Sequence, residues 1–158
     1  MPVIARQVSA APRRLHLPDA GATAALARRV AALATPGDVI ALKGELGSGK
    51  TFFARAFIGE EDVPSPTFTL VQIYDRPQGR VWHFDLYRLE APEQAIELGI
   101  EEAFASGISL IEWPERLGRL LPDEHLEIAL GFAAAPEARD AIIAGTSRWL
   151  PLLDAIAG

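Results

Sequence analysis

The chain contains no cysteine. That excludes disulfides, thiolate metal sites and a cysteine nucleophile, and it suits a reducing, cytoplasmic setting. It also lacks any uninterrupted apolar run of transmembrane length, so no membrane span or membrane partner is expected. Only two of the 158 residues are lysine, and 21 acidic side chains outnumber 15 lysines and arginines, for a formal net charge of −6. A balance of that sign excludes broad electrostatic binding of nucleic acid by this chain alone. Any RNA contact must then come through a partner or a local patch. Met1 to Arg14 carries arginines but not the apolar core of a signal peptide. It reads as a flexible extension over residues 1–13, followed by one domain over 14–158. With 49% apolar and 23% charged residues, the composition is that of a globular chain long enough to bury a substantial core. No repeat, low-complexity tract or linker divides it.

What the chain does have is a complete G-x-x-x-x-G-K-[ST] phosphate loop, Gly44-Glu45-Leu46-Gly47-Ser48-Gly49-Lys50-Thr51. An apolar strand-like run, Asp38-Val39-Ile40-Ala41-Leu42, precedes it, and a helix-like stretch from Thr51 to Ile58 follows. Glycines let successive backbone N–H groups turn inward as an anion nest, and the helix aims its positive end at the same anion. Glu45, Leu46, Gly47, Ser48 and Gly49 therefore read as a nucleotide cradle. Lys50 supplies a point charge for the β and γ phosphates of ATP, and the Thr51 hydroxyl is a ligand for Mg²⁺.

Around that unit the pattern is α/β. A short strand at Arg14–Leu17 leads to a helix over about 22–34, capped by Asp19. Thr69–Tyr74 and Val81–Tyr87 alternate as an antiparallel hairpin with a longer loop, 75–80. Helical stretches follow at Pro92–Leu98 and Ile100–Phe104, then a short apolar strand at Ile108–Ile111. Further strands are expected at Leu126–Phe132 and Ala141–Ala144, with a closing helix over Ser147–Ile156. The sum is a single P-loop NTPase-like domain: a mixed central sheet flanked by helices, with the hairpin inserted after the phosphate-loop unit.

A phosphate loop needs acidic partners, normally at the end of a neighbouring strand. Glu112 follows Ile108–Ile111, on the side where open α/β sheets bind ligands. Asp85 lies in Val81–Tyr87, where Trp82, Phe84 and Leu86 share one face and His83, Asp85 and Tyr87 the other. Thr67, in the stiff Ser65-Pro66-Thr67-Phe68 connector, is either a switch-loop hydroxyl near the γ-phosphate or part of an ordinary turn. His83 and His125 read as structural. Arg88 faces phosphate or caps a helix, and Trp113 is a packing anchor or a partner-facing aromatic.

Taken together, the phosphate loop, Ser65-Pro66-Thr67-Phe68, His83-Phe84-Asp85-Leu86-Tyr87-Arg88 and Ile111-Glu112-Trp113-Pro114-Glu115-Arg116 resemble the bacterial TsaE (YjeE) family, over about residues 17–130. The resemblance implies a small, slow ATPase in tRNA threonylcarbamoyladenosine modification. Its partners would be TsaB and TsaD, which install the threonylcarbamoyl group and hold the tRNA, while the ATPase resets their complex. Thr51 and Glu112 would hold Mg²⁺, Lys50 and the loop amides the ATP phosphates, and Asp85 would orient or activate water near the γ-phosphate. Thr67 would belong to a switch-like loop. The tail after Gly131 carries no motif, and contacts to the base near Arg139 stay open. Two other functions share such a loop, a small-molecule or nucleotide kinase and a nucleotide-gated binding module. The first usually needs an arginine-rich lid, whereas the arginines here are scattered.

Overall fold

The computed structural model describes residues 11–59 and 69–157; the 65–68 connector with Thr67, and residues 1–10 of the expected extension, lie outside the described residues. In chain order the first elements are β1 (Arg13–Leu17), α1 (Ala20–Leu33), β2 (Val39–Lys43), α2 (Lys50–Ile58), β3 (Val71–Arg76) and β4 (Gly79–Asp85). There follow α3 (Gln94–Glu97), α4 (Ile100–Ser106), β5 (Ile108–Glu112), a 3-10 helix (Pro114–Leu120), β6 (Leu126–Phe132), β7 (Arg139–Gly145), a 3-10 turn (Ser147–Trp149) and α5 (Leu150–Ala157).

Four consecutive buried residues, Val39-Ile40-Ala41-Leu42, make β2 a strand covered on both faces. It runs parallel to both neighbours, pairing Ile40 with Leu110 of β5 and with Leu126 of β6. The seven strands lie in the order β1-β7-β6-β2-β5-β4-β3. The inner four are parallel, and antiparallel pairs close both edges.

Period-two alternation sends side chains into two cores. On one face Ile40, Leu42, Leu110 and Ile128 pack with Leu26, Val30, Phe53, Phe57 and Trp149 from the helices. On the other, Val39, Trp82, Phe84 and Ile111 meet Ala95, Ile100, Ala103 and Leu117. Each large side chain so buried contributes about 1.5–3 kcal/mol. Asp19 starts α1 as expected, its Oδ1 accepting the Ala22 N–H at 2.8 Å.

Several boundaries differ from the sequence reading. The hairpin has a tight turn, not a long loop: Arg76 pairs with Gly79, leaving only Pro77 and Gln78 between the strands. The ladder extends that far because Asp75 and Arg80 are register partners, with Nε to Oδ1 at 2.8 Å, and because Gly79 accepts φ 144°. The hairpin's second strand ends at Asp85, so Tyr87 lies beyond it and is exposed. The helix expected from Pro92 shrinks to Gln94–Glu97. The closing helix is divided into a 3-10 turn and α5, with Pro151 in its first turn.

Candidate functional site

The loop between β2 and α2 is shaped by positions that only glycine fills. Gly44 has φ 148°, and a Cβ there would lie 2.3 Å from Ser48 Oγ and 2.6 Å from the Leu130 carbonyl. Gly49, at φ 107°, is the left-handed residue from which α2 departs. Lys50 folds back beneath the loop. Its ammonium donates to the Gly44 carbonyl and, at 3.3 Å, to that of Glu45. The Trp113 ring covers it at 3.8 Å from the centroid. Burial holds the Lys50 pKa below its ordinary 10.5, against the opposing pull of the Glu112, Glu115 and Asp85 carboxylates.

Beside Lys50, the first side chain of α2 to face the sheet edge is Thr51, whose hydroxyl lies 3.0 Å from both Glu112 oxygens. Glu112 ends β5 and Asp85 ends β4, and the two are register partners on parallel strands. Glu112 is 2% exposed and Asp85 5%. Asp85 Oδ1 accepts the Tyr87 N–H at 3.1 Å, and Glu112 Oε2 meets His83 Nε2 at 2.7 Å. Lys50, Thr51, Asp85, Glu112, Tyr87 and Trp113 line one cleft of about 240 Å³. A hydroxyl that donates its proton to a carboxylate keeps its lone pairs for a cation, and all the donors here are hard oxygens. Magnesium is characteristically held by one or two such protein oxygens plus phosphate and water, so Thr51 and Glu112 fit it.

A second depression, about 340 Å³, adjoins the loop and shares Gly47, Gly49 and Phe52 with the first. Thr23 of α1 and Arg139 of β7 line it. The Thr23 hydroxyl is buried without a hydrogen-bond partner among the described residues. Arg139 braces the loop, donating from Nε to the Ser48 carbonyl at 2.8 Å and from Nη2 to that of Gly47 at 3.3 Å.

The structure thus gathers Glu45, Leu46, Gly47, Ser48, Gly49, Lys50, Thr51, Asp85 and Glu112 around one loop. Thr67 lies outside the described residues. Two residues beside the site were not among the sequence candidates. His83 was read as structural, and the structure adds that its ring bonds the Glu112 carboxylate. Thr23 gave no signal, because a threonine in the first turn of a helix is unremarkable.

The model of the family "Threonylcarbamoyl adenosine biosynthesis protein TsaE" matches residues 17–140. The chain belongs to the TsaE family. Among TsaE relatives, the tRNA threonylcarbamoyladenosine biosynthesis protein TsaE of Rickettsia bellii is 45% identical over 109 residues, covering 66% of this chain and 76% of that protein. The protein of the same description from Bacillus subtilis is 39% identical over 120 residues, covering 73% and 75%. The crystal structure of Bacillus subtilis YdiB superposes with a TM-score of 0.74 at 29% identity, covering 92% of this chain and 93% of that one. Both clefts and every side chain lining them fall inside the TsaE match.

Proposed function

We propose that this TsaE-family chain hydrolyses Mg²⁺-ATP as an accessory subunit in tRNA threonylcarbamoyladenosine biosynthesis, working with TsaB and TsaD rather than on tRNA directly. The observation that carries the reading is the meeting of Thr51 and Glu112 at 3.0 Å beside Lys50, at the mouth of a glycine-shaped phosphate loop. That is the donor set phosphoryl transfer to water requires. The relatives' description and the acidic balance support the assignment to tRNA modification through partners.

Loop amides and Lys50 bind the β and γ phosphates, with Thr51 and Glu112 as the ligands for magnesium. When bound, the ion neutralises charge that builds up on the phosphate oxygens. Asp85 accepts a hydrogen bond from the attacking water and aligns it with the γ-phosphorus. As the new P–O bond forms, the bond to the β–γ bridging oxygen breaks and a water proton passes to Asp85 and on to solvent, yielding ADP and phosphate. Trp113 and Tyr87 wall the cleft and limit the entry of bulk water. The base occupies the depression beside Thr23, where an unpartnered hydroxyl awaits a ring nitrogen or amino group, with Phe52 as an apolar wall.

The test is Mg²⁺-dependent ATP turnover, alone and with TsaB and TsaD, for wild type, Lys50→Ala, Asp85→Asn and Glu112→Gln. Lys50→Ala should lose nucleotide binding. The carboxylate variants should lose turnover by at least about a hundredfold while affinity changes less. Equal losses of affinity and turnover would defeat this division of roles. Brisk turnover indifferent to the partners, or phosphorylation of a small acceptor, would favour a kinase instead.

A further inference from the structure

His83 plays no part in the mechanism above, yet it is fully buried, and among the described residues its side chain makes one hydrogen bond, to Glu112. We infer that His83 is a positioning residue: its Nε2–H fixes the Glu112 carboxylate in the orientation that accepts the cation. The inference rests on the proposed magnesium-nucleotide reading.

A carboxylate as enclosed as Glu112 needs donors to offset its desolvation. The donors seen are Thr51 Oγ1 and His83 Nε2. The Thr51 hydroxyl touches both oxygens, so it does not choose between rotations of the carboxylate. His83 does, because it contacts Oε2 alone, at 2.7 Å. That leaves Oε1 to turn towards the cleft. Thr51 stands at the start of α2, next to the phosphate loop, whereas His83 stands within β4, hydrogen-bonded in register beside β5. It is therefore the fixed point of the pair. The other ring nitrogen, Nδ1, is buried and has no partner among the described residues. A bare acceptor there costs less than an orphaned N–H, which favours the tautomer carrying its hydrogen on Nε2. Outer-sphere partners of this kind orient metal ligands and set metal affinity.

Side-chain geometry gives a discriminating test. A glutamine amide nitrogen reaches about where Nε2 of histidine lies, an asparagine nitrogen only to the level of Nδ1, and leucine fills space without donating. The proteins are wild type, His83→Gln, His83→Asn and His83→Leu. The primary readout is calorimetric binding of a non-hydrolysable ATP analogue at increasing Mg²⁺, with magnesium-free binding of the same analogue as the control for an intact loop. His83→Asn and His83→Leu should need about 10–100-fold more Mg²⁺ for half-maximal enhancement of binding. Their magnesium-free affinity should stay unchanged, and His83→Gln should recover most of the effect. An unaltered Mg²⁺ requirement in the asparagine and leucine variants would overturn the inference. So would a glutamine variant as impaired as the asparagine one, or a wild type whose binding ignores Mg²⁺. Absence of hydrolysis in wild type would remove the ATPase reading alone, since the magnesium titration needs no turnover.

Discussion

Lys50 is held against two opposing influences, enclosure beneath the loop and the field of nearby carboxylates, and enclosure dominates. Its lowered pKa has two consequences of opposite sign. Bound phosphate favours the ammonium form, so binding takes up a proton once pH exceeds the pKa of the free site. Nucleotide affinity should therefore fall with rising pH, starting below the ordinary lysine value of 10.5. In the same alkaline window the unfolded chain holds the extra proton, so the Lys50 contribution to stability, the difference between wild type and Lys50→Met, should rise with pH. Nucleotide titration and denaturant unfolding across that range check both, and an affinity flat to beyond pH 10.5 would refute the first. Thr23 supports a second residue-scale prediction. Thr23→Val keeps the shape but removes a buried hydroxyl without a partner, so stability should hold or rise slightly. Affinity for ATP should drop by about tenfold, and competition by triphosphate without a base should be unaffected. At this scale the phosphate loop was legible because its spacing is its chemistry. The placement of Asp85 and Glu112 in the cleft was legible because strands beside such a loop end at the edge where it opens. The His83–Glu112 bond was not, because alternation tells which face a side chain takes and never which neighbour it meets.

Among the elements, β4 and β5 decide the site, since their register brings Asp85 opposite Glu112, with His83 two residues behind on the same strand face. The approach of their flanks depends on Gly107, which precedes β5. A Cβ there would lie 2.6 Å from Cδ1 and Nε1 of Trp82 and 3.2 Å from the Arg80 carbonyl. Gly107→Ala should displace the indole and destabilise the fold by about 1–3 kcal/mol, read from the midpoint of urea unfolding. A variant as stable as wild type would mean that Trp82 repacks freely. The strands β2, β5 and β6 were readable from their apolar residues, α1 from its Asp19 cap and apolar spacing, and α2 from its place directly after the phosphate loop. The tight turn at Pro77-Gln78 was not, because Asp75 and Arg80 look like loop residues until they are seen to face each other across the ladder. Nor was the 3-10 helix after Trp113, a residue whose left-handed backbone (φ 61°) sequence pattern does not reveal.

For the whole molecule, the strand order β6-β2-β5-β4 places the C-terminal ends of its central parallel strands at one edge, where the phosphate loop, Glu112 and Asp85 converge. That order rests on pairings as distant as Ile40 with Leu126 and was beyond any local pattern. Among the described residues no helix is long and apolar enough to cross a membrane. The three tryptophans differ in setting: Trp149 lies in the core beneath α1 and α2, Trp82 in the opposite core, and Trp113 at the edge of that second core, over the Lys50 ammonium. This gives the chain a built-in optical reporter. Phosphate that draws the ammonium away from the Trp113 indole changes the charge on its ring face, and its emission should shift on nucleotide binding. Trp113→Phe should abolish that change, while the two enclosed indoles stay constant until the chain unfolds. A nucleotide-induced change that survives in Trp113→Phe would mean that binding is felt in the cores themselves.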